Sequence, residues 1–202
     1  MTLDANALPV SLNLAEIFLH RMARIQPEAP AIYFENQIIS YAELADTTCR
    51  ANALFKRLGL EIEQRVILML PDIPQFAAAW FGTVQAGGVI CAVNPQQQPD
   101  EVKYYLNYTR AKIAVVDAAT AARIDGFRSE CPHLAHVVVA HGDAGSHVDF
   151  DAELKRTSPD TSIADTHRDD ASVWLFTSGS TGFPKAAVHK NHDFVFNALT
   201  YA

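Results

Sequence analysis

The chain has 202 residues, enough for one or two domains, with 49% apolar and 19% charged residues, which excludes a largely disordered polypeptide. Sixteen Lys and Arg against 23 Asp and Glu give a formal charge of −7, the wrong sign for a nucleic-acid partner, although a few local donors can still hold a small anion. Three widely spaced cysteines, Cys49, Cys91 and Cys131, do not make a disulfide framework. They favour a reducing, cytoplasmic setting. The start lacks the basic and apolar regions of a signal peptide. No apolar run reaches the length of a membrane span, because Pro71, Asp72, Pro74 and Gln75 interrupt the most apolar stretch.

In chain order, Asn13-Leu14-Ala15-Glu16 and Ser40-Tyr41-Ala42-Glu43 match the capping-box pattern and each predicts a helix start. Between them, Ala31–Phe34 and Gln37–Ile39 predict a hairpin turning at Glu35-Asn36. Arg65–Leu70 is a nearly continuous apolar run, expected of a strand covered on both faces. A helix follows from Pro74 to Gln85, ended by Gly87-Gly88, and then a second buried strand, Val89–Val93. Pro99-Asp100-Glu101 opens another helix with acids at its positive end. Lys112–Val116 is a third strand, Ala118–Phe127 a helix and His136–Ala140 a fourth strand.

Residues 141–171, rich in Gly, Pro, Asp, Ser and Thr, read as an exposed, partly irregular connection with one short helix at Asp151–Lys155. Asp165–Asp170 reads as a solvated link. Ser172–Phe176 returns to buried-strand character. Strands alternating with helices predict an α/β fold, a mostly parallel sheet with flanking helices.

The chemistry concentrates in Thr177-Ser178-Gly179-Ser180-Thr181-Gly182-Phe183-Pro184-Lys185, directly after that strand. Gly179 and Gly182 allow sharp turns and close backbone approach. The hydroxyls of Thr177, Ser178, Ser180 and Thr181 can donate to phosphate oxygens, successive N–H groups can cradle an anion, and Lys185 adds a point charge. A loop at the carboxyl end of a sheet strand is where α/β proteins place ligands. The Walker pattern is excluded, because its Lys is followed by Ser or Thr, whereas Lys185 follows Pro184 and precedes Ala186. Composition alone would also suit a flexible Ser/Gly/Thr surface loop.

The full string decides between them. Thr-Ser-Gly-Ser-Thr-Gly-x-Pro-Lys resembles the phosphate loop of the adenylate-forming superfamily of acyl-CoA synthetases, peptide-synthetase adenylation domains and luciferases. Ile39–Leu44 and Gln85–Pro95 resemble two earlier motifs of the same superfamily, and the resemblance runs from about Leu12 to Tyr201. The Trp174-Leu175-Phe176 stretch and the position of His189 add a resemblance to benzoate-type CoA ligases.

The resemblance implies the N-terminal part of an acyl-CoA-synthetase-like AMP-binding domain over residues 1–202. It implies an acid–thiol ligase that uses ATP with Mg²⁺ to form an acyl-adenylate and passes the acyl group to coenzyme A. By the same resemblance Thr177, Ser178, Gly179, Ser180, Thr181, Gly182 and Lys185 hold the ATP phosphates, with Ser178, Ser180 and Thr181 as hydroxyl donors, Gly179 and Gly182 as backbone contacts and Lys185 as a mobile cation. The partner is a small carboxylic acid, and a homo-oligomer is left open.

Two departures stand out: Ala186 replaces the Gly usual after the loop lysine, and Lys190-Asn191 replaces a common Thr-His pair, leaving roles for His189 and His192 open. The chain is shorter than such ligases, lacks their later motifs and C-terminal lysine, and ends inside an apolar-periodic stretch. The expectation is a truncated chain without ligase activity of its own. A non-catalytic nucleotide- or phosphate-binding module and a partner-binding domain are the alternatives.

Weaker signals have plainer readings. Cys131-Pro132-His133 with His136 lacks a fourth ligand nearby and reads as a surface junction rather than a zinc site. Cys49 and Cys91 read as inert core thiols, and Phe76, Trp80 and Phe81 as helix packing.

Overall fold

The computed structural model describes residues 7–177 and 184–201. A π-helical turn, Glu16–His20, leads into α1 (Arg21–Ile25), and the hairpin follows as β1 (Pro30–Phe34) and β2 (Gln37–Ser40). Glu35 at its turn has φ 50°. Both strands lie apart from the main sheet.

The two capping boxes fare differently. At Ser40 the reciprocal pair forms, with the Glu43 N–H donating to Ser40 Oγ and the Ser40 N–H to Glu43 Oε2, and it starts α2 (Tyr41–Arg57). At Asn13 only half forms. Asn13 Oδ1 accepts from the Ala15 N–H at 3.0 Å, while Glu16 pairs with Arg24 instead. The Asn13 amide has a tertiary task, donating to the Val84 carbonyl at 2.8 Å, and that buried bond outweighs the local pattern.

From Arg65 onward strands and helices alternate: β3 (Arg65–Met69), α3 (Pro74–Gln85), β4 (Val89–Ala92), α4 (Pro99–Thr109), β5 (Ile113–Asp117), α5 (Ala118–Asp125) and β6 (His136–His141). A two-residue β7 (Val148–Asp149), α6 (Phe150–Arg156), β8 (Ala171–Thr177), β9 (Lys185–Lys190) and α7 (Asn191–Tyr201) complete the described chain. The sheet order is β7-β6-β5-β3-β4-β8-β9, all parallel except for the β8–β9 pair. This is the α/β architecture expected. The short β7 and the antiparallel edge strand β9 were not legible in the sequence.

The sheet separates two apolar layers. Leu54 and Phe55 of α2, Ala78 and Ala79 of α3 and Phe150 of α6 pack on one face with Val66, Leu68 and Val115. Val102, Tyr105 and Leu106 of α4, with Ala121 and Ile124 of α5, cover the other with Ile67, Met69 and Val116. Neighbouring residues of β3 thus point into opposite layers, which is why its run is unbroken.

The connection after α6 is largely exposed, as expected, but two of its residues are not solvated. Thr157 and Thr166 are buried. The Asp160 carbonyl accepts from Asn52 at 2.9 Å and from Gln85 at 3.0 Å, and the Thr166 hydroxyl donates to the Leu12 carbonyl at 2.7 Å. Its polar residues satisfy buried amides of α2 and α3 rather than water. No described helix is long and apolar enough to cross a membrane.

Candidate functional site at the carboxyl end of the sheet

The sheet has a topological switch between β3 and β4. After β3 the chain leaves toward the α3 layer, and after β4 toward the α4 layer. Such a divergence opens a crevice beyond the strand ends. A cleft of about 510 Å³ lies there, lined by residues 70–72 after β3, residues 93–96 after β4, and Phe76.

The wall after β4 is held from two sides. Asn94 Oδ1 accepts from the Gln96 N–H at 2.9 Å, a tight side-chain-to-backbone turn. From α5, Arg123 donates to the Pro95 carbonyl at 2.6 Å and the Gln97 carbonyl at 2.5 Å. One guanidinium with its donors in a fixed fork can hold two carbonyls of one loop.

β8 lies beside β4, so its carboxyl end opens at the same end of the sheet. Thr177 and Lys185 are the last cross-strand partners of β8 and β9, and Thr177 Oγ1 donates to the Lys185 carbonyl at 3.5 Å. Both are exposed, and among the described residues the Lys185 ammonium makes no ion pair. The structure therefore brings the two ends of the sequence string together. Ser178, Gly179, Ser180, Thr181 and Gly182 lie outside the described residues.

Helix α4 supports this hairpin from one face. Tyr105 packs edge-on to Phe176 with ring centroids 4.8 Å apart, and Tyr108 meets Trp174 at 6.4 Å and Phe176 at 5.9 Å. Tyr104 reaches further and donates its hydroxyl to the Pro184 carbonyl at 2.8 Å. Burial, and then the neighbouring Tyr108, push the Tyr104 hydroxyl above its usual range, so it stays a neutral donor. Sequence reasoning missed Tyr104 and Arg123. The aromatic spacing 104, 105 and 108 on one helix was the signal available for Tyr104.

His189 and His192 sit away from this end. His189 pairs with Val173 at the start of β8, and its Nδ1 lies 3.7 Å from the Asp193 carboxylate. His192 stands between Asp169 at 3.1 Å and Asp193 at 3.0 Å. Neither is beside Lys185. Among the described residues no group of three or more His, Cys, Asp or Glu side chains could hold a metal, the Cys131–His136 segment included.

Residues 19–202 match the family model described as AMP-binding enzyme. The benzoate--CoA ligase of Thauera aromatica is 31% identical over 203 residues, an alignment covering 100% of this chain and 38% of that protein. The 4-hydroxybenzoate--CoA/benzoate--CoA ligase of Rhodopseudomonas palustris is 30% identical over 181 residues, covering 89% of this chain and 32% of that protein. In fold, the chain superposes on the anthranilate CoA ligase AuaEII with a TM-score of 0.93 at 24% identity, over 98% of this chain and 38% of that one. The chain thus spans about a third of the length of the curated relatives it matches, 32% and 38% of these two. It belongs to the AMP-binding enzyme family, and it corresponds to an N-terminal portion of that fold.

Proposed function

We propose that this chain is the N-terminal portion of an ATP-dependent acid–thiol ligase, and that its segment 177–185 holds the nucleotide's phosphates. The observation that carries this reading is the pairing of Thr177 with Lys185 at the carboxyl end of a parallel sheet, beside the β3/β4 cleft. That pairing puts Thr177 and Lys185, the two ends of the hydroxyl- and glycine-rich string, where an open α/β sheet receives ligands.

In the reaction proposed, a carboxylate oxygen attacks the α-phosphorus of ATP and pyrophosphate leaves, giving an acyl-adenylate. A thiol, coenzyme A by resemblance, then attacks the acyl carbon and AMP departs. The chain's own part is positioning and charge stabilisation. Ser178, Ser180 and Thr181 donate hydroxyl hydrogens, Gly179 and Gly182 bring backbone N–H groups close, and Lys185 offsets negative charge on the departing phosphates. Mg²⁺ would add charge neutralisation on the phosphates. Among the described residues no cluster of three or more His, Cys, Asp or Glu side chains would hold it. The relatives named for benzoate and 4-hydroxybenzoate support an aromatic carboxylic acid as substrate.

The test is acid-dependent exchange of pyrophosphate into ATP by the protein encoded by the complete reading frame, across benzoates and short and medium fatty acids. Exchange with a benzoate, followed by acyl-CoA formation, is expected. No exchange with any acid would overturn the reading. The 202 residues alone, about a third of the relatives' length, are expected to show none.

A further inference from the structure

At the opposite, amino end of the sheet lies a second cleft of about 410 Å³, lined by Gln64, Arg65, Arg110, Lys112, His133 and Ala135. These residues precede or open β3, β5 and β6, so three separate turns converge on it. Three of the six are cationic at neutral pH, a fourth is an imidazole, and no carboxylate lines the cleft among the described residues. None of the four makes an ion pair among the described residues, in a chain whose net charge is −7.

The cations are held in place with donors to spare. Arg65 donates through Nε to the Thr109 carbonyl at 2.6 Å and through Nη1 to the Glu63 carbonyl at 3.1 Å, and lies 5.8 Å from the Trp174 ring centroid. Lys112 donates to the Gly59 carbonyl, using one of the three hydrogens of its ammonium. Arg128 donates to the Ala135 carbonyl at 2.8 Å, and among the described residues its sheltered Nη1 has no hydrogen-bond partner. Burial, and then the charges of Arg128 and Lys112, hold the adjacent His136 below its usual range, which reports an electropositive neighbourhood.

Arg110 is the informative residue. It caps α4 in the left-handed conformation, φ 50° and ψ 42°, a position that suits Gly or Asn and strains most other side chains. The backbone closes there with the Arg110 and Ala111 N–H groups donating to the Asn107 and Leu106 carbonyls, each at 3.3 Å, and among the described residues the exposed guanidinium has no hydrogen-bond or ion-pair partner. Three cationic side chains and an imidazole thus converge on one concave surface with no carboxylate among its described lining residues, which suits an anion.

We propose that this cleft is a second anion site that takes a phosphate dianion, free or as the head of a small phosphate ester. The site is at the opposite end of the sheet from Thr177 and Lys185 and does not depend on the role proposed for the segment they bound. The five residues of β3 alone separate the two ends by about 16 Å.

Titration calorimetry at low ionic strength, with inorganic phosphate and separately with glycerol phosphate, tests it on the protein and on R110N/H133N and K185A variants. Asn suits the left-handed position, so R110N/H133N is expected to keep its thermal midpoint while losing about tenfold or more in phosphate affinity. K185A is expected to retain binding at this cleft. Tighter binding of the ester would identify it as the occupant, and equal binding would identify free phosphate. Absence of millimolar phosphate binding, unchanged affinity in folded R110N/H133N, or loss of all phosphate binding in K185A would each overturn the proposal.

Discussion

The hydroxyl of Tyr104 on α4 donates to the carbonyl of Pro184, 2.8 Å away and 80 residues later in the chain. This bond ties the residue that precedes β9 to the helix that covers β8, so both arms of the hairpin are held against one rigid element. Replacing Tyr104 with Phe keeps the ring contacts and removes only the hydroxyl. The variant is expected to lose about 1 kcal/mol in urea unfolding and to bind ATP more weakly. Unchanged stability and unchanged nucleotide affinity together would show that the bond positions nothing.

Lys185 is exposed and has no ion pair among the described residues, so its removal leaves the fold unstressed. Lys185→Ala is expected to change the unfolding midpoint little, by roughly 0.5 kcal/mol or less. It should also reduce affinity for pyrophosphate at the hairpin about tenfold, with partial rescue by Arg. Calorimetric titration with pyrophosphate checks this, and full retention of affinity would remove Lys185 from the site.

Gly82 lets α3 approach α2. A Cβ there would lie 2.7 Å from Ala51 Cβ and 3.1 Å from the Asn52 nitrogen. Both neighbours are buried and belong to a helix, so neither can yield cheaply. Gly82→Ala, which would favour an isolated helix, is expected instead to destabilise the protein by about 1–3 kcal/mol. Denaturant unfolding gives the sign directly.

Asp160 anchors the link between α6 and β8. The Ser162 hydroxyl first, then the Lys56 ammonium and the Ser162 N–H, hold its carboxyl below the ordinary range against the opposing effect of burial. A carboxyl with a lowered folded pKa contributes stability above its unfolded pKa, about 4, and that contribution is lost as pH falls through the folded value. Asp160→Asn should therefore be less stable than the parent at neutral pH, with the difference shrinking below about pH 4. A difference that stays constant from pH 7 to pH 3 would contradict the linkage.

Cys49, Cys91 and Cys131 are all buried, and burial pushes each thiol upward, Cys91 to about 12. Thiolates react and thiols do not, so a disulfide reagent such as DTNB should modify the folded protein slowly. Unfolding should release all three thiols. Rapid labelling of the folded protein at neutral pH would contradict this burial.

Much of the architecture is readable from local pattern. The unbroken run at Arg65–Leu70, the proline-opened helix at Pro74 and the Ser40–Glu43 box each carry their own periodicity or cap, and each forms where the pattern lies. The string 177–185 is likewise legible, because it concentrates donors in consecutive residues. What failed was pattern whose side chains serve distant partners. Asn13 looks like a cap and spends its amide on Val84, and Thr166 looks solvated but is sealed under Leu12.

The sequence by itself determined most of the strands and helices, showed that β3, β4 and β5 are covered on both faces, and showed where hydroxyls, glycines and a lysine concentrate in one string. Only the tertiary structure decided the neighbours. It placed β8 beside β4, folded β9 back along it, brought Tyr104 to Pro184, and gathered Arg65, Arg110 and Lys112 at the far end of the sheet. The physical reason is that periodicity records how much water a segment excludes and on which side. Strand order and the meeting of distant side chains depend on crossover handedness and on the packing of whole layers, which no local window contains.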